Sequence, residues 1–169
     1  MHAACQPIDH LLKDCTIQRT RGSGPGGQHR NKVETAIVVT HTLTGVRGEA
    51  SERRSQADNR KMAIFRLRLK LAVEVRTPQQ AGISEYGPSE LWQSRRQGSR
   101  IAVNDQHDDF PSLLAEALNS LANANWQPAE AAEFLGVSSS QLVKLCKQHA
   151  PALTQVNRQR EALGFDRLR

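Results

Sequence analysis

The sequence predicts an α+β fold: a small antiparallel sheet packed with one long helix, then a linker, then a small helical, helix-turn-helix-like C-terminal region. Three observations predict it. Residues 34–41 are crowded with the β-branched side chains Thr35, Ile37, Val38, Val39 and Thr40, which suit a pleated strand. Residues 55–75 contain no Gly or Pro and are dense in Ala, Leu, Met, Arg and Lys, all good helix formers. From Pro111 onward, Leu114, Leu118 and Leu121 recur at helical spacing. The expected domains are 1–76 for the α+β unit, 77–108 for the linker and 109–169 for the helical module.

Each element follows from local chemistry. Cys15–Thr20 alternates toward a short strand, and Glu34–His41 reads as a second one. Thr44-Gly45 is a turn signal that lets Val46–Ala50 return as a hairpin partner. Ser55 begins the long helix, with Asp58 placed like the acid of a capping box. Phe65 to Leu71 alternates at period two, which is a strand signal, but the length of the segment and its composition favour helix. On that helix Met62, Phe65, Leu69 and Val73 line one face, and Ile64, Leu67 and Leu71 line nearly the opposite one. Residues 77–108 read as a connector because of Pro78, Gly82, Gly87-Pro88 and the basic run Arg95 to Arg100. Pro128 restarts a helix near its first turn, and Gly136 can end it. Ser138 and Gln141 form a capping-box pair for the next helix, Pro151 breaks that one, and a last helix runs toward Leu163 and Gly164.

Composition narrows the function classes. The 169 residues are 38% hydrophobic and 24% charged, close to an average globular chain. No run approaches the roughly 18–20 apolar residues of a membrane span. Residues 1–5 carry no basic, apolar pattern of a secretory leader. Cys5, Cys15 and Cys146 are an odd number without a CxxC pair, which suits a reducing cytosol and disfavours a disulfide framework or a zinc site. Net charge is +6, and all the excess lies in residues 1–76, with 14 Lys and Arg against 7 Asp and Glu. A concentrated positive field of this kind rewards phosphate backbones. Aromatics are only 4%, so base stacking is not expected to dominate RNA contact.

The informative segment is Arg19-Thr20-Arg21-Gly22-Ser23-Gly24-Pro25-Gly26-Gly27-Gln28-His29-Arg30-Asn31-Lys32. Gly22, Gly24 and Gly27 satisfy GxGxxG, but a β-branched run follows where a dinucleotide-binding helix should begin. A P-loop would end in Gly-Lys-Ser or Gly-Lys-Thr, and this segment does not. The third reading is a glycine loop that carries Gln28 into another molecule's reaction centre. Four glycines around one proline open backbone shapes closed to other residues. Arg19, Arg21, Arg30 and Lys32 would hold such a loop against RNA phosphates.

Gly24 to Lys32 resembles the GGQ loop of class I peptide chain release factors and their codon-independent ribosome-rescue relatives. The likeness extends over roughly residues 15–75. Thr40-His41-Thr42-Leu43-Thr44-Gly45 is similar to the family's strand-turn element. Glu52-Arg53-Arg54-Ser55-Gln56-Ala57-Asp58-Asn59 resembles its E-R-S-Q-x-x-N segment with one extra Arg. Arg30 departs from the apolar residue of many relatives. The resemblance implies that residues 1–76 are a release-factor-like catalytic domain, which hydrolyses the peptidyl-tRNA ester in the ribosomal peptidyl transferase centre. Gly26, Gly27 and Gln28 would be catalytic. The Gln28 backbone N–H would stabilise the transition state and the leaving 3′ oxygen, as an oxyanion-hole donor does. Water would be the nucleophile, consistent with a sequence that shows no Ser-His-Asp spacing, no metal cluster and no cofactor motif. The implied RNA-contacting residues are Arg19, Arg21, His29, Arg30, Asn31 and Lys32, with Arg53, Arg54, Gln56, Asn59, Arg60 and Lys61. The implied partners are large-subunit rRNA and P-site peptidyl-tRNA, with no membrane, and the chain is expected to be a cytoplasmic monomer.

Two further expectations come from what surrounds that segment. Only residues 1–14 precede the unit, which leaves no room for a decoding domain and points to release without a stop codon. Residues 101–169 hold 6 Lys and Arg against 8 Asp and Glu, unlike the basic tail of small rescue factors. Ala131 to Leu142 instead resembles a helix-turn-helix. A plain helical packing module, a ribosome or partner docking module and a DNA-binding module all fit it. The alternative for the whole chain is a non-enzymatic RNA- or DNA-binding regulator that retains the GGQ fold. His41 and Cys15 are read as structural.

Overall fold

The computed structural model describes residues 1–20, 36–77 and 87–169. Its architecture is mixed α and β, as predicted. The chain divides into two compact units, one of Met1 and Ala3–Leu71, the other of His2 and Ala72–Arg169.

The first unit opens with a 3₁₀ turn at Ala3–Cys5, helix α1 (Ile8–Leu11) and a second 3₁₀ turn at Leu12–Asp14. Strands β1 (Cys15–Thr20), β2 (Ala36–His41) and β3 (Arg47–Ala50) follow as an antiparallel sheet in sequential order. The start of the predicted second strand, Glu34 and Thr35, lies outside the described residues. The Thr44-Gly45 turn forms as expected, with Gly45 at φ +72° and its amide bonded to His41 O at 2.8 Å. His41 is buried, and its Nδ1 meets Thr44 Oγ1 at 2.8 Å, so this histidine braces the turn.

Register decides which side chains face the helix. Ile17 pairs with Val39, and Val39 with Gly48. Paired residues share a face. Ile37, Val39, Gly48 and Ala50 are all buried on that face. Helix α2 (Gln56–Glu74) lies against it at Gly48, where a Cβ would fall on the Ala63 carbonyl and the Leu67 amide. Glycine therefore sets the helix–sheet distance. The period-two alternation of residues 65–71 does not make a strand. Once α2 forms, Ile64, Leu67 and Leu71 make one stripe with Ala63 and are buried, while Met62, Phe65, Leu69 and Val73 are half-buried. The Ser55 hydroxyl starts the helix by accepting from Asp58 N at 3.2 Å. Strand β1 forms the sheet's edge, and its residues 16–20 are exposed.

In the second unit, part of the connector is folded. Helix α3 (Glu90–Arg95) is capped by Ser89, whose hydroxyl accepts from Trp92 N at 3.1 Å. Strands β4 (Arg96–Gln97) and β5 (Arg100–Ile101) make a minimal hairpin turned at Gly98, φ +58°. Trp92 is fully buried and donates from Nε1 to Leu135 O at 2.8 Å. A Gly- and Pro-rich composition signals turns but says nothing of one large aromatic anchor between them.

Four helices complete the unit: α4 (Phe110–Asn123), α5 (Pro128–Leu135), α6 (Ser139–Lys147) and α7 (Ala150–Ala162). Leu114, Leu118 and Leu121 are buried with Phe110, Leu135, Leu142, Leu145 and Val156. The predicted stops hold. Pro128 sits in the first turn of α5, Gly136 takes φ +65° after it, and the Ser138 hydroxyl accepts from Gln141 N at 3.3 Å. Pro151 occupies the first turn of α7. The last residues are tied back: the Asn157 side chain brackets the Leu168 backbone, and Arg160 donates to the Asp166 and Trp126 carbonyls.

Candidate functional site

The candidate site belongs to the first unit and is built at one end of its sheet. Thr20 and Ala36 are paired across β1 and β2, so β1 ends and β2 begins at the same end of the sheet. Ile37 pairs with Arg19 on one side and with Ala50 on the other. The chain therefore exits β3 at the same sheet end and enters Ser51–Ser55 there. The glycine-rich segment and the Glu-Arg-Arg-Ser-Gln segment, far apart in sequence, are attached to neighbouring strand ends.

Gly26, Gly27, Gln28, Arg21, His29, Arg30, Asn31 and Lys32 lie outside the described residues. The described site residues fall into two groups. Arg19, Arg53, Arg54, Arg60 and Lys61 are exposed. Asn59 is fully buried, and Gln56 is half-buried. Asn59 Oδ1 accepts from Arg53 N and its Nδ2 donates to Arg53 O, both at 2.9 Å. It grips the loop from which Arg53 and Arg54 project. An asparagine suits this place because one side chain offers a donor and an acceptor to the N–H and C=O of one residue.

Sequence reading missed Arg66. Its guanidinium donates to Glu52 Oε1 at 2.6 Å and to Glu49 O at 2.8 Å, joining the end of β3 to the middle of α2. No local spacing signals this link, because its partners are 14 and 17 residues away. Burial works against the Glu52 carboxylate, but amides of its own segment and the Arg66 guanidinium outweigh it and hold its pKa below the usual carboxylate range. With Glu52 engaged by Arg66, the field around the loop is left to Arg53 and Arg54.

The arrangement presents cations and backbone for contact with a polyanion. Among the described residues no group of three His, Cys, Asp or Glu side chains is placed to hold a metal ion. Among them, too, no helix is long and apolar enough to cross a membrane. The Cys15 thiol, half-buried in β1, has its pKa raised by burial and by the neighbouring Asp14 charge, which suits an inert strand residue better than a nucleophile.

Comparison with known proteins agrees with this geometry. Residues 6–108 match the RF-1 domain. The chain is 49% identical over 61 residues to the chloroplast peptide chain release factor PrfB1 of Arabidopsis thaliana, covering 36% of this chain and 13% of that protein. It is 48% identical over 66 residues to peptide chain release factor 1 of Xylella fastidiosa, covering 39% and 18%. It is 42% identical over 59 residues to the mitochondrial peptide chain release factor 1-like protein of Rattus norvegicus, covering 35% and 16%. The chain thus spans less than a fifth of the length of these relatives. The match to the RF-1 domain takes in the whole of the sheet, α2 and the β4–β5 hairpin, more than half of the chain, and the chain belongs to the RF-1 domain family.

Proposed function

We propose that this protein hydrolyses the ester of peptidyl-tRNA on the ribosome and so releases the nascent chain, without reading a stop codon. The observation that carries the reading is the Gly26-Gly27-Gln28 segment attached to the sheet end that also launches the Arg53-Arg54 loop, inside the residues that match the family. In this reading residues 1–76 are the catalytic domain, 77–108 the link and 109–169 an accessory module. The Gln28 backbone N–H stabilises charge developing on the ester and on the leaving 3′ oxygen, with Gly26 and Gly27 permitting the approach. The Gln28 side chain positions water. Arg19, Arg21, His29, Arg30, Asn31 and Lys32, with Arg53, Arg54, Gln56, Arg60 and Lys61, hold large-subunit rRNA or the tRNA end. Asn59 acts indirectly, through the loop it grips. The partners are the ribosome and its P-site peptidyl-tRNA, and the protein works as a cytoplasmic monomer.

The test is peptide release from ribosomal complexes carrying truncated, intact sense and stop-codon messages, with wild type, Gly27→Ala and Gln28→Ala. Release by wild type on the truncated message, lost in both variants, is expected. Equal release by all three proteins would remove the catalytic assignment, and release only at a stop codon would remove the codon-independent one. A second reading, a non-enzymatic RNA- or DNA-binding regulator, draws on the helix-turn-helix of α5 and α6. Nucleic-acid binding with no hydrolysis in any ribosomal state selects it.

A further inference from the structure

In the second unit α4 and α5 are acidic, whereas the β4–β5 hairpin and α6 are basic. The stretch from Ala102 to Val137, which holds α4 and α5, carries six acids (Asp105, Asp108, Asp109, Glu116, Glu130 and Glu133) and no Lys or Arg. The β4–β5 hairpin and α6 carry Arg96, Arg100, Lys144 and Lys147 and no acid. The two cationic elements are joined, because Ser138 N, at the cap of α6, donates to Ser99 O in the hairpin turn at 3.0 Å. Arg96 reinforces the join by donating to Gly136 O at 3.2 Å.

The geometry of α6 sharpens this. Leu142, Leu145 and Cys146 are buried, and burial pushes the Cys146 thiol up to about 12. On the other side Ser140, Lys144 and Lys147 are exposed at i, i+4 and i+7, a single stripe. Among the described residues the side chains of Arg100, Lys144 and Lys147 make no hydrogen bond or ion pair, whereas that of the nearby Arg95 is taken up by Asp109 at 2.6 Å. Helix α5, the three-residue turn Gly136–Ser138 and α6 have the form of a helix-turn-helix, with the hairpin at the cap of the second helix.

We propose that the exposed stripe of α6, together with Arg100 of the hairpin, docks on the phosphate backbone of duplex RNA. Charge complementarity names a polyanion. The side chains narrow it further. Lysines, an arginine and a serine all bond phosphates irrespective of sequence, and Gln141, the one amide on α6, is half-buried. Contacts to phosphates suit the A-form duplex, which proteins recognise by shape and backbone. The choice of RNA over DNA rests on the function proposed above.

The full chain is titrated by fluorescence anisotropy against an RNA hairpin duplex, a DNA duplex of the same sequence and the unpaired RNA strand, across a salt series. Duplex RNA binds tightest. Lys144→Glu/Lys147→Glu weakens that binding about tenfold or more and lowers the salt slope by roughly one to two. The charge-matched Arg158→Glu/Arg169→Glu, at exposed positions of the same unit, changes it about twofold or less. Arg100→Glu, on the other element, weakens binding in the same direction as the lysine pair. Equal losses in the two double variants, or tighter binding to DNA than to RNA, overturns the proposal. Absent ester release with lysine-dependent binding retained removes only the hydrolase, and release with binding indifferent to the lysines removes only this surface.

Discussion

The two units solve the burial problem in different ways. In the first, one sheet face is covered by one helix, and the edge strand β1 stays exposed over residues 16–20. In the second, four helices and Trp92 enclose Phe110 and a cluster of leucines, several with no exposure at all. The thinner unit carries the family's glycine segment. A sheet held by a single helix leaves its strand ends free to launch loops, and loops on a rigid scaffold are where proteins place function. The denser unit presents its charge on helix faces instead, with acids on α4 and α5 and bases on α6 and the hairpin.

The contrast can be broken by substitution, and the largest expected effect is on activity. Gly27→Ala should lower peptide release by about 10²-fold or more, the scale of a lost oxyanion donor, while the denaturation midpoint stays near wild type. Single-turnover release and urea titration check both halves. In the helical unit Leu118→Ala empties a fully buried site and should destabilise by about 2–5 kcal/mol. In the sheet unit Gly48→Ala drives a methyl into the backbone of α2 and should destabilise by about 1–3 kcal/mol. Chemical denaturation reports each. Asn59→Ala leaves the Arg53 peptide without its bracket and should cost about 1–3 kcal/mol. If release falls further than that loss of folded protein explains, the loop's placement matters to function.

The smallest effect is on pH. Burial lowers the pKa of His2, outweighing its bond to Val75 O, and the Arg76 charge lowers it further. Burial also lowers that of His149 against the pull of Asp105. Both belong to the second unit. A depressed folded pKa means the unfolded chain binds more protons, so stability is intact above about pH 6.5 and falls as pH drops below it toward the folded values. Thermal midpoints should decline modestly between about pH 7 and about pH 5, and His149→Gln should flatten part of that decline. A midpoint that rises on acidification through this range contradicts the assignment.

Much of the fold was legible in sequence. The β-branched run, the Thr44-Gly45 turn and the uninterrupted helix formers act over a few residues, so local reading captures them. The same holds for Pro128, Gly136, Ser138 and Pro151, which start and stop helices by their own covalent character. Within the connector, Trp92 was not legible as an anchor, because its partner lies 43 residues away. Within the site, exposed cations were recognisable by type, but Asn59 and Arg66 were not recognisable as braces. Their partners become neighbours only once β3 and α2 pack.

The sequence by itself determined the family, the order of β1 to β3, α2 and the helices after Pro111, and the presence of a glycine segment flanked by cations, since these depend on residue type and spacing. Only the tertiary structure decided which end of the sheet carries both functional segments, that Asn59 is buried beneath the loop it serves, and that the hairpin joins α6. Register and packing are long-range, and no short window of sequence contains both partners of such a contact.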